Sequence, residues 1–370
     1  MKIGVVLGTR PEIIKLAPII RECEERKLDY FILHSGQHYS YELDKVFFEE
    51  LNLPLPKYNL EIGSHIYGKQ LNLMINGIEN TLKKEMPDIV LVLGDTNTVL
   101  AGTLAAHRLG IKIGHIESGL RSYEIMIEEI NRVLAGLHAS YHFVPTNLSK
   151  DNLLKEGVDE SKIFITGNTI VDALLENINI ANNKYNILKK FNLEKDNYIL
   201  VTAHRPESVD NKINLTNILK GLELVYEKFN IPIIFSIHPR TKNRIKEFNL
   251  EIPKGVIDIE PQGYLKFIQL MANSRLIITD SGGLQEESCV LKVPCVTIRE
   301  VTERPESVQV GSNMLAGYDP LKILECSEQM INKNRNWENP FGDGKAGEKI
   351  VDTLINSFKM GYKFSQEWSK

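Results

Sequence analysis

The sequence predicts an α/β fold made of two Rossmann-like domains. Short runs of apolar, often β-branched residues alternate with longer segments of helical periodicity along the chain, a pattern typical of parallel sheets covered by helices. The chain has 370 residues, 42% of them hydrophobic, which is enough for two separate cores. The alternation pauses around residues 167–169 and resumes with a strand at residues 198–202. We therefore expect domains at residues 1–168 and 169–357, with a C-terminal helix at about residues 358–370 that can pack back on the first domain.

The individual elements follow from apolar runs and from apolar residues at three- and four-residue spacing. In the first domain, strands are predicted at residues 2–7, 30–34, 88–94, 112–117, 142–145 and 163–166, and helices at residues 12–26, 96–109 and 128–140. In the second domain, strands are predicted at residues 198–202, 232–237, 256–259, 276–279 and 295–298, and helices at residues 215–229, 264–272 and 284–290. A further helix is predicted near residues 346–358, and a C-terminal helix of this kind can return to the first domain.

Charge and cysteine content exclude several classes of protein. The 44 basic and 48 acidic residues give a net charge of −4 without a long block of one sign, so we expect no nucleic-acid partner. The four cysteines lack metal-type spacing, which predicts neither a metal site nor disulfides and is typical of a cytoplasmic protein. The apolar run at residues 3–7 is too short for a signal peptide, and no later run approaches the ~20 residues that cross a bilayer. We therefore expect no membrane association.

Polar residues follow almost every predicted strand. In doubly wound sheets, ligands bind at the carboxyl ends of the strands. We therefore expect these residues to face one cleft between the two domains. They include four cations and three acids that lie far apart in the sequence, namely Arg10, Lys15, His204 and Arg304, and Asp95, Glu117 and Glu128.

The stretch Ser281-Gly282-Gly283 predicts a phosphate-binding turn. It follows the apolar run at residues 276–279 and opens a predicted helix, so its N–H groups can hold phosphate oxygens. Glu287 lies about one turn later and can accept hydrogen bonds from ribose hydroxyls. A Gly-Gly turn after a buried strand can equally be plain backbone geometry. Together with the cations, the turn suits a pyrophosphate that departs with negative charge.

The three acids have functional and structural interpretations. A carboxylate at a strand end must be hydrogen-bonded or paired to offset its desolvation. Asp95 could cap a helix, and Glu128 could simply open one. Either glutamate could instead pair with Arg121 or Arg132. A functional role in acid–base chemistry is favoured for Glu117 and Asp95.

A set of short motifs, in order across nearly the whole chain, resembles a known family. The motifs are Gly8-Thr9-Arg10-Pro11-Glu12 with Lys15, Gly36-Gln37-His38, Gly94-Asp95-Thr96, His115-Ile116-Glu117-Ser118-Gly119-Leu120-Arg121, Glu128-Glu129-Ile130-Asn131-Arg132, Thr202-Ala203-His204-Arg205, Asp280-Ser281-Gly282-Gly283-Leu284-Gln285-Glu286-Glu287 and Thr302-Glu303-Arg304-Pro305-Glu306. Together they resemble the non-hydrolysing UDP-N-acetylglucosamine 2-epimerases. The resemblance implies a glycosyltransferase-B-like (GT-B-like) fold, a homodimer, and interconversion of UDP-GlcNAc and UDP-ManNAc with no metal or nicotinamide cofactor.

The resemblance also implies a mechanism. The family eliminates UDP to form 2-acetamidoglucal and then adds UDP back with the proton delivered to the opposite face of C2. Inversion at C2 needs acid–base groups on both sides of the sugar. Glu117 and Asp95 are implied for proton transfer, and Glu128 supports or shares that role. His204 with Arg10 would hold the departing pyrophosphate.

Binding roles are implied residue by residue. Lys15 would touch the nucleotide sugar and Arg304 would close over the diphosphate. Phe267 sits on an apolar helix pattern and could instead belong to the core. The uracil is assigned to Gln262 and Phe267, the phosphates to Ser281, Gly282 and Gly283, and the ribose to Glu287. Positions Gln37, His38, Arg205, Glu207 and His238 match the site at which a second UDP-GlcNAc activates bacterial members.

Other functions remain open from the sequence. The same scaffold could carry a glycosyltransferase that moves a sugar from UDP to an acceptor. A hydrolysing epimerase would release free ManNAc, and a nucleotide-sugar sensor would bind without chemistry. The three dispersed acids and the absence of an amphipathic basic stretch for a lipid acceptor favour the epimerase over the transferase.

Overall fold

The computed structural model describes residues 1–36, 41–122 and 126–367 and divides the chain into two compact units. The first unit comprises Met1–Ala173 together with the segment from Phe341 onwards, and the second comprises Leu174–Pro340. Each unit contains one sheet in which the paired strands run parallel. The predicted α/β class with two Rossmann-like sheets is confirmed.

The first unit is built on a seven-stranded sheet. Its strands are β1 (Lys2–Leu7), β2 (Asp29–His34), β3 (Tyr58–Asn59), β4 (Ile89–Leu93), β5 (Lys112–Ile116), β6 (Tyr141–Val144) and β7 (Ile163–Ile165). Their order across the sheet is β3-β2-β1-β4-β5-β6-β7, so the order turns back between β1 and β4. The loops after these two strands leave towards opposite faces, and the crevice between them is where such sheets bind ligands.

Helices cover this sheet and complete its core. They are α1 (Arg10–Glu25), α2 (Tyr41–Glu50), α3 (Tyr67–Glu85), α4 (Asn97–Arg108), α5 (Ile127–His138), α6 (Asn147–Lys155) and the first part of α7 (Thr169–Lys184), with a 3₁₀ turn at Glu160–Lys162. Val90 and Val92 of β4 pack in one apolar cluster with Val99 of α4 and Met74 of α3. All residues of β4 are buried, because a central parallel strand is covered on both faces.

The second unit repeats the arrangement with six strands. They are β8 (Ile199–Thr202), β9 (Ile233–Ser236), β10 (Val256–Ile259), β11 (Leu276–Thr279), β12 (Cys295–Thr297) and β13 (Asn313–Leu315). The order is β10-β9-β8-β11-β12-β13, with the turning point between β8 and β11. Ile199 and Val201 belong to one apolar cluster and Leu200 belongs to another, so apolar cores lie on both faces of the sheet.

The second unit's helices follow its strands in the same alternation. They are α8 (Ile187–Lys190), α9 (Pro206–Val209), α10 (Lys212–Phe229), α11 (Pro239–Glu247), α12 (Tyr264–Ala272), α13 (Gly282–Val290), α14 (Pro305–Gln309) and α15 (Pro320–Met330). Helix α13 begins at Gly282, one residue after Ser281, so the predicted helix opening at the Ser-Gly-Gly turn is confirmed.

Several elements were not predicted from the sequence. The edge strands β3 and β13 are too short, at two and three residues, to give an alternation signal. Helix α3 did carry a signal, because its buried residues Met74, Ile78 and Leu82 recur at four-residue spacing. This missed helix packs beside α4 and contributes to the first core.

The chain returns to the first unit earlier than the sequence pattern suggested. Helix α16 (Ala346–Glu367) and the residues from Phe341 belong to the first unit, whereas the predicted boundary lay after residue 357. The Asn168 N–H donates to the Phe341 carbonyl at 2.7 Å, and the Gly347 N–H donates to the Asp172 carboxylate at 2.8 Å. These bonds keep the start of α7 with the first unit, which ends at Ala173 rather than at residue 168.

Candidate active site

The first unit brings Lys15 and Glu117 together. The Lys15 Nζ donates to Glu117 Oε1 at 2.5 Å, and the Asn168 side-chain amide donates to the same oxygen at 2.9 Å. Glu117 is only 5% exposed, so its carboxylate is largely shielded from water. The ion pair with Arg121 or Arg132 that was considered for Glu117 is not its arrangement. Lys15, from α1, reaches the residue that follows β5.

The backbone of Glu117 is unusual. Its φ of +60° lies in the left-handed region, which residues with a Cβ rarely adopt. Such a conformation costs of order 1–3 kcal/mol and persists where the surroundings enforce it, often at functional sites. It turns the chain sharply after β5, so that the Glu117 side chain meets Lys15 and Asn168.

Asp95 is paired with an arginine and is not a helix cap. The residue that caps α4 is Thr96, whose Oγ1 accepts from the Val99 N–H at 3.3 Å, so the N-cap interpretation of Asp95 was wrong. The Asp95 carboxylate is instead paired with Arg132 of α5. The Asn131 side-chain amide also donates to the Asp95 carbonyl at 3.0 Å. Two consecutive residues of α5 thus hold the loop that carries Asp95.

Glu128 and its neighbour Glu129 have different environments. Glu129 is buried and paired with Arg132, which links it to the Asp95 carboxylate. Glu128 lies exposed in the first turn of α5, where its side chain makes no hydrogen bond or ion pair within the described residues. Arg121 pairs with Glu156 through two contacts of 2.7 Å, and not with Glu128. The structure therefore does not bring Glu128 into contact with Asp95 or Glu117.

Glu12, which was not predicted as a site residue, connects two of the loops that follow the strands. One of its oxygens accepts from the Gly8 N–H and the Thr9 hydroxyl, both at 2.9 Å, and the other accepts from the Thr96 hydroxyl at 2.8 Å. The carboxyl therefore ties the loop after β1 to the loop after β4. Burial raises the pKa of Glu12 to about 7. Arg10, next to Thr9, places its guanidinium 5.1 Å from the centre of the Phe47 ring.

In the second unit, His204 is held by Asp280. His204 follows β8 and Asp280 follows β11, so the two residues flank the turning point of this sheet. The His204 Nδ1 lies 3.0 Å from Asp280 Oδ1, and the backbone N–H groups of His204 and Arg205 donate to Asp280 Oδ2 at 2.8 Å each. Burial alone raises the pKa of the Asp280 carboxyl, but its bonds to His204 and to the backbone lower it overall.

The predicted phosphate-binding turn lies at the start of a helix, as expected. Ser281 is the N-cap residue of α13, and neither Gly282 nor Gly283 has a positive φ. A Cβ built on Gly283 would have no closer neighbour than Ser281 Oγ at 4.0 Å, so neither strain nor packing within the chain requires glycine there. A glycine without such a structural reason fits the close approach of a ligand to the backbone.

A cavity of ≈ 200 Å³ opens beside this turn. Its lining includes His204, His238, Phe267 and Ser281. Phe267 is partly exposed and packs on the second core with one side, so it is neither fully buried nor free of the core. The core alternative therefore describes part of its position, and the uracil-binding role stays a prediction.

Gln262 and Glu287 both lie near the start of α12, which begins at Tyr264. The Gln262 amide donates to the Glu260 carbonyl at 2.6 Å and accepts from Lys190 at 3.4 Å. Glu287 is buried and accepts from the Tyr264 hydroxyl at 3.3 Å. Burial and the Glu287 charge raise the pKa of that phenol well above its ordinary value.

Arg304 and Arg205 belong to a buried ionic network next to the turn. The Arg304 Nε donates to Glu286 at 2.6 Å, so the guanidinium is engaged by a carboxylate in this structure. Arg205 lies 3.5 Å from Glu303 and 3.8 Å from Glu207. Burial raises the pKa of Glu303, but Arg299 and Arg205 lower it to about 2.

The effector site was predicted from five residues, of which three are described. Arg205, Glu207 and His238 all lie in the second unit. Gln37 and His38 lie outside the described residues. The effector site therefore stays a prediction.

The described parts of the chain contain neither a cluster of metal-ligating side chains nor a helix that could cross a bilayer. In residues 1–36, 41–122 and 126–367, no group of three or more His, Cys, Asp and Glu side chains is arranged to hold a metal ion. Every helix in the same ranges is too short or too polar to cross a bilayer. The four cysteines are buried and unpaired with one another.

Comparison with known proteins gives consistent matches over nearly the whole length. The family model described as UDP-N-acetylglucosamine 2-epimerase matches residues 21–355. A UDP-N-acetylglucosamine 2-epimerase from Methanocaldococcus jannaschii is 55% identical over 361 residues, which cover 96% of this chain and 99% of that protein.

Solved structures agree with this match. The crystal structure of the M. jannaschii UDP-GlcNAc 2-epimerase in complex with UDP-GlcNAc and UDP has a TM-score of 0.89 at 55% identity, covering 96% of this chain and 100% of that one. The enzyme from Neisseria meningitidis bound to UDP-GlcNAc has a TM-score of 0.88 at 36% identity, covering 96% of this chain and 100% of that one. The GT-B-like fold that the motifs implied is confirmed, and the chain belongs to the UDP-N-acetylglucosamine 2-epimerase family.

Proposed function

We propose that this protein interconverts UDP-GlcNAc and UDP-ManNAc by eliminating UDP and adding it back at C1. The proposal is supported by membership of this family together with two features of the chain, a shielded carboxylate in the first unit and a Ser-Gly-Gly turn that opens a helix in the second. Glu117 supplies the first and Ser281-Gly282-Gly283 supplies the second. Each follows a strand end of the kind at which parallel sheets bind ligands.

The C2 proton has no adjacent carbonyl to acidify it, so its removal is coupled to loss of the leaving group. A carboxylate takes the proton from C2, the C–H electrons form the C1=C2 double bond, and the C1–O bond breaks with its electron pair going to UDP. The product pair is 2-acetamidoglucal and UDP. Re-addition reverses these steps, with the proton delivered to the other face of C2.

The first unit supplies the acid–base groups in this proposal. Glu117 and Asp95 transfer the C2 proton, and each has a cationic partner, Lys15 and Arg132 respectively. Lys15 also touches the nucleotide sugar. Glu128 supports proton transfer only if the start of α5 brings it inward when substrate binds, because it is exposed in the structure described here.

The second unit supplies the grip on UDP. Ser281, Gly282 and Gly283 bind the phosphates, Glu287 the ribose, and Phe267 with Gln262 the uracil. His204, together with Arg10, neutralises the charge on the departing diphosphate. Arg304 joins them once it exchanges part of its contact with Glu286 for phosphate.

Solvent deuterium tests this function directly. UDP-GlcNAc incubated with the pure protein in D2O should give UDP-ManNAc, and the recovered UDP-sugars should lose their C2 proton signal in the proton NMR spectrum. No acceptor, metal or nicotinamide should be needed. A transferase or a sensor would leave the C2 proton in place, and a hydrolysing enzyme would release free ManNAc and UDP. Any of these three outcomes would overturn the proposal.

We further propose that the protein acts as a homodimer through α5. This helix exposes four apolar residues on one stripe, of which Leu137 is 70% exposed; the others are Ile127, Ile130 and Leu134. Exposed apolar stripes of this kind mark protein interfaces. A two-fold axis can pair such a stripe with itself, which makes a second copy of the chain the fitting partner.

The four unpaired cysteines are typical of a reducing compartment, which supports the proposal that the protein is cytoplasmic.

The oligomeric state can be tested with matched charge substitutions. Light scattering after size exclusion should give the wild type twice the chain mass of 42.1 kDa. Leu137→Lys should shift the protein towards the single-chain mass, because lysine charges would face each other across the axis. Leu321→Lys is the control, since Leu321 is 69% exposed but lies on α15. A wild type of single-chain mass, or equal behaviour of the two variants, would contradict this interface.

A further inference from the structure

The His204 imidazole contacts the Asp280 carboxylate, which is fully buried. Asp280 is 0% exposed, and its side chain is committed to one short segment, the backbone of His204 and Arg205 and the His204 ring. The 3.0 Å contact is made by Nδ1 of the ring. The carboxylate oxygen carries only lone pairs and would repel the lone pair of an unprotonated nitrogen at this distance, so we expect this nitrogen to carry a proton. The ring's Nε2 is then free to face elsewhere.

The second imidazole at the cavity is held in the opposite way. His238 caps α11, and its Nδ1 accepts from the Arg240 N–H at 3.2 Å. That nitrogen therefore carries no proton, and a neutral His238 has its proton on Nε2. Burial and the neighbouring His204 lower the pKa of His238, which favours this neutral form. The ring centres of His204 and His238 are 5.8 Å apart.

The two rings thus differ in what they can offer a diphosphate. Neutral His238 donates from Nε2 without charge. His204, with Nδ1 already committed to Asp280, can donate from Nε2 only as the doubly protonated imidazolium. A buried carboxylate beside the ring is what stabilises that cation. The Asp280 carboxylate also fixes the orientation of the ring, because it accepts hydrogen bonds from the backbone N–H groups of His204 and Arg205.

We propose that Asp280 is a positioning residue that keeps His204 as an oriented imidazolium, so that His204 presents a charged Nε2–H to the diphosphate of the leaving UDP. This inference rests on the proposed epimerase function. Asp280 itself does not touch the substrate. Its contribution is realised when the C1–O bond breaks and negative charge collects on the diphosphate, as for a preorganised donor at a developing anion.

Asp280→Asn separates this role from simple packing. Asparagine keeps an oxygen for the two backbone N–H groups but turns an amide N–H towards the ring, so His204 Nδ1 must become an acceptor. The ring then keeps a neutral Nε2–H and loses its charge. We expect kcat to fall about 100-fold or more, with the KM for UDP-GlcNAc changing by less than about fivefold. The control is Asp196→Asn. The Asp196 carboxylate pairs with the Arg335 guanidinium at 2.8 Å in the second unit, and Asp196 precedes β8, so this variant should keep the wild-type kcat.

Two measurements make the result decisive. Imidazole ¹⁵N NMR of the wild type with UDP bound should show protons on both ring nitrogens of His204, and the Asp280→Asn spectrum should show that the Nδ1 proton is lost. In a His204→Asn background, adding Asp280→Asn should lower kcat by less than about twofold, since there is no ring left to orient.

Three outcomes would overturn the proposal: a wild-type His204 ring that lacks a proton on either nitrogen with UDP bound, a kcat for Asp280→Asn within about threefold of wild type, or a full loss on adding Asp280→Asn to His204→Asn. The wild-type spectrum needs no variant, so it applies even if Asp280→Asn does not fold. It also needs no turnover, so failure of the epimerase proposal would appear separately, as an inactive wild type with the expected spectrum.

Discussion

Glu117→Gln is expected to lower kcat for epimerisation by about 100-fold or more. The substitution preserves the size and the hydrogen-bonding oxygen of the side chain but removes the group that can take or deliver the C2 proton, a contribution typically of 10²–10⁴. It also removes the charge that pairs with Lys15 at 2.5 Å. Deuterium incorporation at C2 should fall in parallel with kcat, whereas the Kd for UDP should change little, because the residues assigned to UDP lie elsewhere.

The chain offers a closely matched control for this substitution. Glu85 is also a buried glutamate of the first unit, with 6% of its side chain exposed and Lys2 Nζ at 2.6 Å. Lys2 begins β1 whereas the predicted ligand site follows the end of that strand, so Glu85→Gln loses a similar ion pair far from the site. It should keep kcat within about twofold. Comparable turnover of the wild type and Glu117→Gln would remove Glu117 from the mechanism.

Gly119→Ala is expected to destabilise the first unit by about 3 kcal/mol or more. Gly119 has a φ of +81°, and a Cβ built on it would lie 2.2 Å from the Ser149 carbonyl oxygen and 3.0 Å from Leu153 Cγ. The clash is with backbone, which cannot rotate away as a side chain could. The strained φ adds to the cost of moving α6.

Thermal unfolding followed by calorimetry measures this cost. The transition of the first unit should fall by roughly 6–12 °C, since 1 kcal/mol corresponds to about 2–4 °C for a unit of this size. Gly68→Ala is the control, because Gly68 lies in α3 with no positive φ and nothing within 4 Å of a built Cβ. It should leave the transition unchanged or raise it slightly. Equal shifts for the two variants would show that the loop after Glu117 adapts to a side chain.

The sheets were predictable because their central strands are continuous apolar runs. Strand β4 could be found because every one of its residues is buried between layers, and its neighbours gave the same signal. Edge strand β3 could not, because two residues carry no periodicity. The return of the chain at Phe341 depends on backbone bonds such as Asn168 to Phe341, which have no signature in residue type.

The sequence predicted which strand ends carry the polar residues of the candidate site, but not which of these residues form ion pairs or hydrogen bonds with each other. Parallel topology brings Lys15 and Glu117 to one edge, yet they are 102 residues apart and nothing in the sequence selects them as partners. For the same reason Arg132 was proposed as a partner for Glu117 and Glu128, whereas in the structure it pairs with Asp95 and Glu129. Glu12 was visible only as part of a motif, since its bonds to Thr9 and Thr96 depend on two loops meeting.

The interrupted first unit has a consequence for synthesis of the chain. The second unit is one continuous segment, Leu174–Pro340, whereas the first needs residues from both sides of it. A ribosome therefore delivers every residue of the second unit before it delivers α16, whose Gly347 packs closely on Pro18 of α1. A nascent chain that has reached residue 340 holds all the residues assigned to gripping UDP. The first unit, which carries Glu117 and Asp95, still lacks helix α16 at that point. The second unit's residues assigned to UDP binding can therefore fold before the residues assigned to proton transfer are in place.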